Sequence, residues 1–204
     1  FDVKELAENT TYYSNAIVTD FVGYSTAASS DSFMMDFTNP EQGYLSIGNA
    51  YQSDTANVEF SWRGFIDEQS GIKDYQYGLG TEPGLDDVLP LKALNLSADF
   101  AALTITIGGL SLQVNQTYYG VVYAIDKVNN ENFAISDGLT IDRDGPDDGI
   151  ITDGLTGEDI DYYNDTTSAS ANWDGFYDFN GIDKYELSLN TTTNAGSEIM
   201  IVDW

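Results

Sequence analysis

One phrase of sequence occurs twice, and it constrains the fold more than any other feature. Residues 58–79 read VEFSWRGFIDEQSGIKDYQYGL and residues 169–189 read ASANWDGFYDFNGIDKYELSL. Trp62, Gly64, Phe65, Asp67, Gly71, Ile72 and Tyr75 recur as Trp173, Gly175, Phe176, Asp178, Gly181, Ile182 and Tyr185, with one residue fewer in the second turn. Self-similarity of this kind marks one structural unit used more than once. Upstream, Ile17-Val18-Thr19-Asp20 reads like Ile150-Ile151-Thr152-Asp153, at an offset of 133 residues against 111 at the Trp. On that alignment the first copy carries about 22 extra residues within 23–50.

The repeated phrase has the period of a strand. Val58, Phe60 and Trp62 alternate with Glu59, Ser61 and Arg63; Tyr75, Tyr77 and Leu79 alternate with Gln76 and Gly78. The same period runs through Leu103, Ile105 and Ile107, and from Tyr118 to Ile125. Between these runs stand Gly, Asn, Asp and Pro clusters, the residues that turns require. A helical turn is expected only at Lys4–Glu8, and Leu91–Phe100 fits either pattern. Short strands at regular spacing predict an all-β chain built as β-sandwiches.

Composition narrows the chemistry. The chain has 204 residues, 34 acidic and 7 basic, for a formal net charge of −27, and it has neither Cys nor His. Disulfides, thiolate metal sites, imidazole bases and Ser-His-Asp triads are therefore excluded. A charge so negative argues against nucleic acid, whose phosphates need Lys or Arg, and against anionic lipid. No apolar run is long enough to span a membrane as a helix, so no direct membrane insertion is expected. The chain opens at Phe1 without an initiator Met, which reads as a processed chain or a piece of a longer one.

The strand set from 16 to 142 resembles a fibronectin type III domain or a close Ig-like relative. Trp62 ends an alternating strand where that family keeps its core Trp. Leu112 and Tyr118, followed by Y-x-G-x-V-x-A-x-D to Asp126, are similar to its tyrosine corner and sixth strand. The phrase from Trp62 to Thr81 is also similar to repeats of large cell-surface proteins. The resemblance implies tandem fibronectin type III-like sandwiches, the second incomplete. Residues 1–15 would be a linker or the end of a preceding repeat, 16–143 a sandwich with an insertion at 23–50, and 144–204 the first half of another. Trp62, Tyr118 and Trp173 would be structural. The missing strands of the second copy would lie in further sequence or come from a neighbouring chain by strand addition.

Candidate sites follow from the acids and amides. Asp142, Asp144, Asp147 and Asp148 put several hard oxygens in one turn-rich stretch, which suits Ca²⁺; the same stretch also reads as a solvated linker. No other cofactor is implied. Asp67 and Asp178 precede a Gly at matching positions, and the simplest role for each is to cap its own turn. No carboxylate pair stands out for glycosidase chemistry and no nucleophile motif occurs, so no enzyme is expected. Asn9, Asn95, Asn115, Asn164 and Asn190 lie in N-x-S/T sequons, the acceptors of a glycoprotein. Phe33, Met34, Met35 and Phe37 form an apolar cluster that fits an extra strand or an interface patch. These readings predict an extracellular or cell-surface structural or adhesive protein, a stalk, filament or surface-layer segment. Its partners would be neighbouring copies of itself or adjacent repeats. The alternative is a carbohydrate- or ligand-binding module of a secreted protein, with glycans as partners.

Overall fold

The computed structural model describes residues 5–95, 102–155 and 157–189, and among them only strands, turns and loops occur. The all-β expectation is met; Glu5–Glu8 forms no helical turn, and Lys4 and residues 96–100 lie outside the described residues. The chain divides into two compact units, Phe1–Asp142 and Arg143–Trp204.

The first unit begins with a ribbon. β1 (Thr11–Tyr12) pairs antiparallel with β4 (Phe33–Met34), and β2 (Asn15–Thr19) with β3 (Ser25–Ser29). Every residue of β2 and β3 is exposed. Two sheets then enclose one core. The first holds β5 (Tyr44–Ile47), β7 (Val58–Arg63) and β10 (Ala102–Ile107), with β7 in the middle. The second holds β6 (Tyr51–Gln52), β8 (Ile72–Gly80), β9 (Leu89–Ala93), β11 (Thr117–Asp126), β12 (Glu131–Ile135) and β13 (Leu139–Ile141). Its order is β6-β13-β11-β8-β9, with β12 also paired to β11; β6 and β13 run parallel and the other pairs antiparallel.

The period-2 pattern explains the core. Val58, Phe60 and Trp62 turn inward from β7, while Glu59 and Arg63 face water. Tyr75 and Leu79 from β8, Val122 and Ala124 from β11, and Leu139 and Ile141 from β13 meet them. Burying each large apolar side chain contributes roughly 1.5–3 kcal/mol. The Trp62 ring lies 5.5 Å from Tyr75, and Phe65 lies 5.8 Å from the same ring. Gly120 lets the sheets approach, because a Cβ there would meet the Phe60 ring and Ile47. Tyr118, buried, accepts a hydrogen bond at its Oη from Gln113 N–H at 2.7 Å, the corner expected of it.

The second unit repeats the start of the first. β14 (Ile150–Asp153) pairs with β15 (Ala171–Asp174), setting Ile151 opposite Trp173 as Leu45 stands opposite Trp62. Trp173 and Tyr185 are 5.6 Å apart, Phe176 and Tyr185 6.1 Å. Asp147 N–H bonds Tyr177 C=O at 2.7 Å, as Glu41 N–H bonds Ile66 C=O at 2.7 Å. A Cβ on Gly149 would strike Phe176, as one on Gly43 would strike Phe65. The counterpart of β14 is therefore β5, not Ile17–Asp20. Residues 23–50 are not an insertion into the sandwich: they run from the ribbon into its first strand.

The ribbon has a counterpart of its own, 106 residues on. Thr11-Tyr12-Tyr13 matches Thr117-Tyr118-Tyr119, and Leu6 matches Leu112. Ala7 N–H donates to Tyr12 Oη at 2.6 Å, the same corner as at Tyr118. Asn9 and Asn115 both take a left-handed φ, 54° and 62°. Tyr12 pairs with Phe33 as Tyr118 pairs with Leu139. Asp20 Oδ1 accepts from Val22 and Tyr24 N–H at 2.9 and 2.8 Å; Asp126 Oδ1 accepts from Val128 and Asn130 N–H at the same distances. Val18 is 64% exposed at the position where Ala124 is 0% exposed, so this ribbon carries the inward face of a sandwich strand pair.

Candidate metal centre at one end of the sandwich

Three turns meet at one end of the first unit, and each brings an aspartate. Asp36 follows β4, where the chain heads for β5. Asp67 lies in the β7–β8 turn, just beyond the buried anchor Phe65. Asp126 ends β11, where a shift of register with β8 turns the strand. One carboxylate oxygen from each lies within 4.8 Å of the others.

Much of this geometry is ordinary turn chemistry. Asp67 Oδ1 accepts from the N–H groups of Gln69, Ser70 and Gly71 at 3.2, 2.7 and 2.7 Å, the self-capping expected of it. Asp126 Oδ1 serves the β11–β12 turn in the same way, and its Oδ2 accepts from Asn130 Nδ2 at 2.7 Å. The Asn130 amide also donates to Thr38 C=O at 3.1 Å, and Asn132 Nδ2 donates to Pro40 C=O at 3.0 Å. These amides lace residues 36–42 to the sandwich. Asp36 Oδ1 accepts from Thr38 N–H at 3.0 Å. Gln69, with its amide nitrogen toward the acids, donates to Asp36 Oδ1 at 3.0 Å and to Glu8 Oε1 at 3.2 Å. Glu8 is a fourth acid at the rim. The Thr38 hydroxyl, then the Phe37 N–H, hold its carboxyl below the ordinary range.

Turn chemistry does not account for the remainder. Asp126 is fully buried. Asp36 Oδ2 is closed off from solvent and has no hydrogen-bond donor. Among the described residues the ion pair that forms is Lys184–Glu186, far along the chain, so no Lys or Arg neutralises the three acids. Two unit charges at such a separation repel by about 3–4 kcal/mol at an effective dielectric near 20. A cation at the centre would turn that repulsion into attraction.

The linker aspartates stand elsewhere. Asp142 closes the first unit, its N–H on Gln52 C=O at 2.9 Å; Asp147 N–H bonds Tyr177 C=O in the second unit; Asp144 and Asp148 are exposed. Among the described residues they are not part of the cluster that brings three acids together. Of the sequons, Asn9, Asn95, Asn115 and Asn164 are exposed, and Asn190 lies outside the described residues. Asn9, Asn95 and Asn115 all have positive φ, a conformation in which Asn is favoured whether or not it carries a glycan. Trp62 is buried and Trp173 half-buried.

Sequence reasoning picked out Asp67 and passed over Asp36 and Asp126. The signal was present. Asp36-x-x-x-Pro40-Glu41-x-Gly43 recurs as Asp142-x-x-x-Pro146-Asp147-x-Gly149, and Asp20 repeats Asp126. No protein-family model matches the chain, and no curated protein matches it in sequence.

Proposed function

We propose that this chain is a segment of an extracellular structural array, in which fibronectin type III-like sandwiches follow one another at a period of about 106 residues. The recurrence of corner, turn and strand pairing 106 residues apart carries the reading. Residues up to 35 match the last strands of one repeat, 36–141 make a complete repeat, and residues from 142 match the start of the next. A sandwich repeated in line supplies length and stiffness without reaction chemistry. Strong acidity keeps such an array soluble, and neighbouring repeats or copies are its natural partners. Pulling the chain from its ends in a force spectrometer tests the period. One cooperative event is expected that releases about 35 nm, since each extended residue adds about 3.6 Å. An event of clearly different length would overturn the assignment. Antibodies against the chain should label intact cells, and labelling only after permeabilisation would sink the extracellular part.

A further inference from the structure

We propose that Asp36, Asp67 and Asp126 form a Ca²⁺ site that clamps the incoming segment 36–42 to the end of its sandwich. Three independent observations support it. Three carboxylates converge with no cationic side chain among the described residues paired to them. The Asp36 carboxylate that takes part has an oxygen sealed from water and left without a donor, a position that a metal ion satisfies and a solvated acid does not need. The third observation lies in the repeat. Asp20 stands where Asp126 does, Asp142 where Asp36 does, and Asp178 where Asp67 does. Asn caps such turns as well as Asp does, and the chain is rich in Asn, yet all six positions are Asp. Turn geometry needs only the side-chain oxygen; the retained property is the charge.

The donor set selects the metal. Every available ligand is an oxygen, in a chain without His or Cys, which suits a hard cation. The oxygens come from three separate turns. Ca²⁺ accepts six to eight oxygens in irregular arrangements, whereas Mg²⁺ demands a near-ideal octahedron. The proposal shares only its third observation, the repeat, with the array reading, and its failure would leave that reading standing.

The test is thermal melting of the full chain, stripped with EDTA and then supplied with CaCl₂ or MgCl₂. The variants are Asp36→Asn, Asp67→Asn, and a quadruple change of Asp142, Asp144, Asp147 and Asp148 to Asn. Ca²⁺ at about a hundredfold excess over its Kd should raise the wild-type Tm by roughly 5 °C or more, and Mg²⁺ by less. The quadruple variant should keep most of that rise. Asp36→Asn should lose it and, in EDTA, melt at or above the wild-type temperature, because one repelling charge is gone. Asp67→Asn retains the turn acceptor and gives the same reading should Asp36→Asn fail to fold. A wild-type Tm indifferent to Ca²⁺ overturns the proposal. So does a rise undiminished in both single variants, or one abolished only in the quadruple variant. A larger rise with Mg²⁺ than with Ca²⁺ overturns the choice of metal.

Discussion

Tyr118 shows what one hydroxyl does in this fold. It ties the turn at Gln113 to the sheet, and Tyr118→Phe removes that bond while keeping the buried ring. The expected loss is about 1–2 kcal/mol, read as a fall in the midpoint of urea unfolding at unchanged slope. An unchanged midpoint would show that the corner is decorative. Gly120 tests the opposite fault. Gly120→Ala pushes a methyl against Phe60 and Ile47, and overpacking of this kind costs about 1–3 kcal/mol. Asp165 tests charge. The Thr167 hydroxyl and N–H and the Ser168 hydroxyl pull its carboxyl from an ordinary 3.8 to about 2. A lowered carboxyl stabilises its loop above the unfolded value and ceases to do so as pH falls through the folded one. The Thr167 amide resonance should therefore titrate with a midpoint near 2; a midpoint near 3.8 would remove the hydrogen bonds from the account. At this scale Trp62 and Tyr118 were legible because alternation and the Leu-x5-Tyr spacing are local. Asp36 was not, because its partners Asp67 and Asp126 are close only after the chain folds.

Elements read well wherever one face is buried. β7, β8, β10 and β11 announced themselves by period, and the β7–β8 turn by its Asp and Gly. Asp67→Ala in EDTA should lower the Tm by several degrees, since three N–H groups lose their acceptor. Asp67→Asn should not, and equal melting of all three proteins would dismiss the turn role. The ribbon was misplaced for a physical reason. Ile-Val-Thr-Asp and Ile-Ile-Thr-Asp are both strand-like strings, and similarity of strings says nothing about which strand each pairs with. Pro40 with Pro146, and Gly43 with Gly149, carry the true register, and Gly43 has its meaning through the Phe65 ring against the backbone. A two-stranded ribbon with both faces exposed is weakly held. Amides of β2 and β3 should exchange with deuterium long before those of β7 and β11; equal protection would mean that something covers the ribbon.

Across the whole molecule the charge is the dominant unpaired quantity. With a net −27, self-repulsion opposes folding, and screening relieves it. Raising NaCl from about 20 to about 500 mM in EDTA should raise the Tm, and a falling Tm would show that attractive pairs outweigh repulsion. Alternation of residues marked β7, β8, β10 and β11 but not the shorter strands β5, β6, β9, β12 and β13 that complete the two sheets, and the phase of the repeat was hidden by an accidental match. The copies share a frame of Trp, Tyr, Asp, Gly and Pro, and little else. β5 reads Tyr-Leu-Ser-Ile where β14 reads Ile-Ile-Thr-Asp. Tandem sandwiches of identical sequence exchange strands as they fold, and the tangled product is a kinetic trap. In the array proposed above, a strand from one copy would meet the wrong side chains in the next, so divergence between neighbours would protect the fidelity of folding.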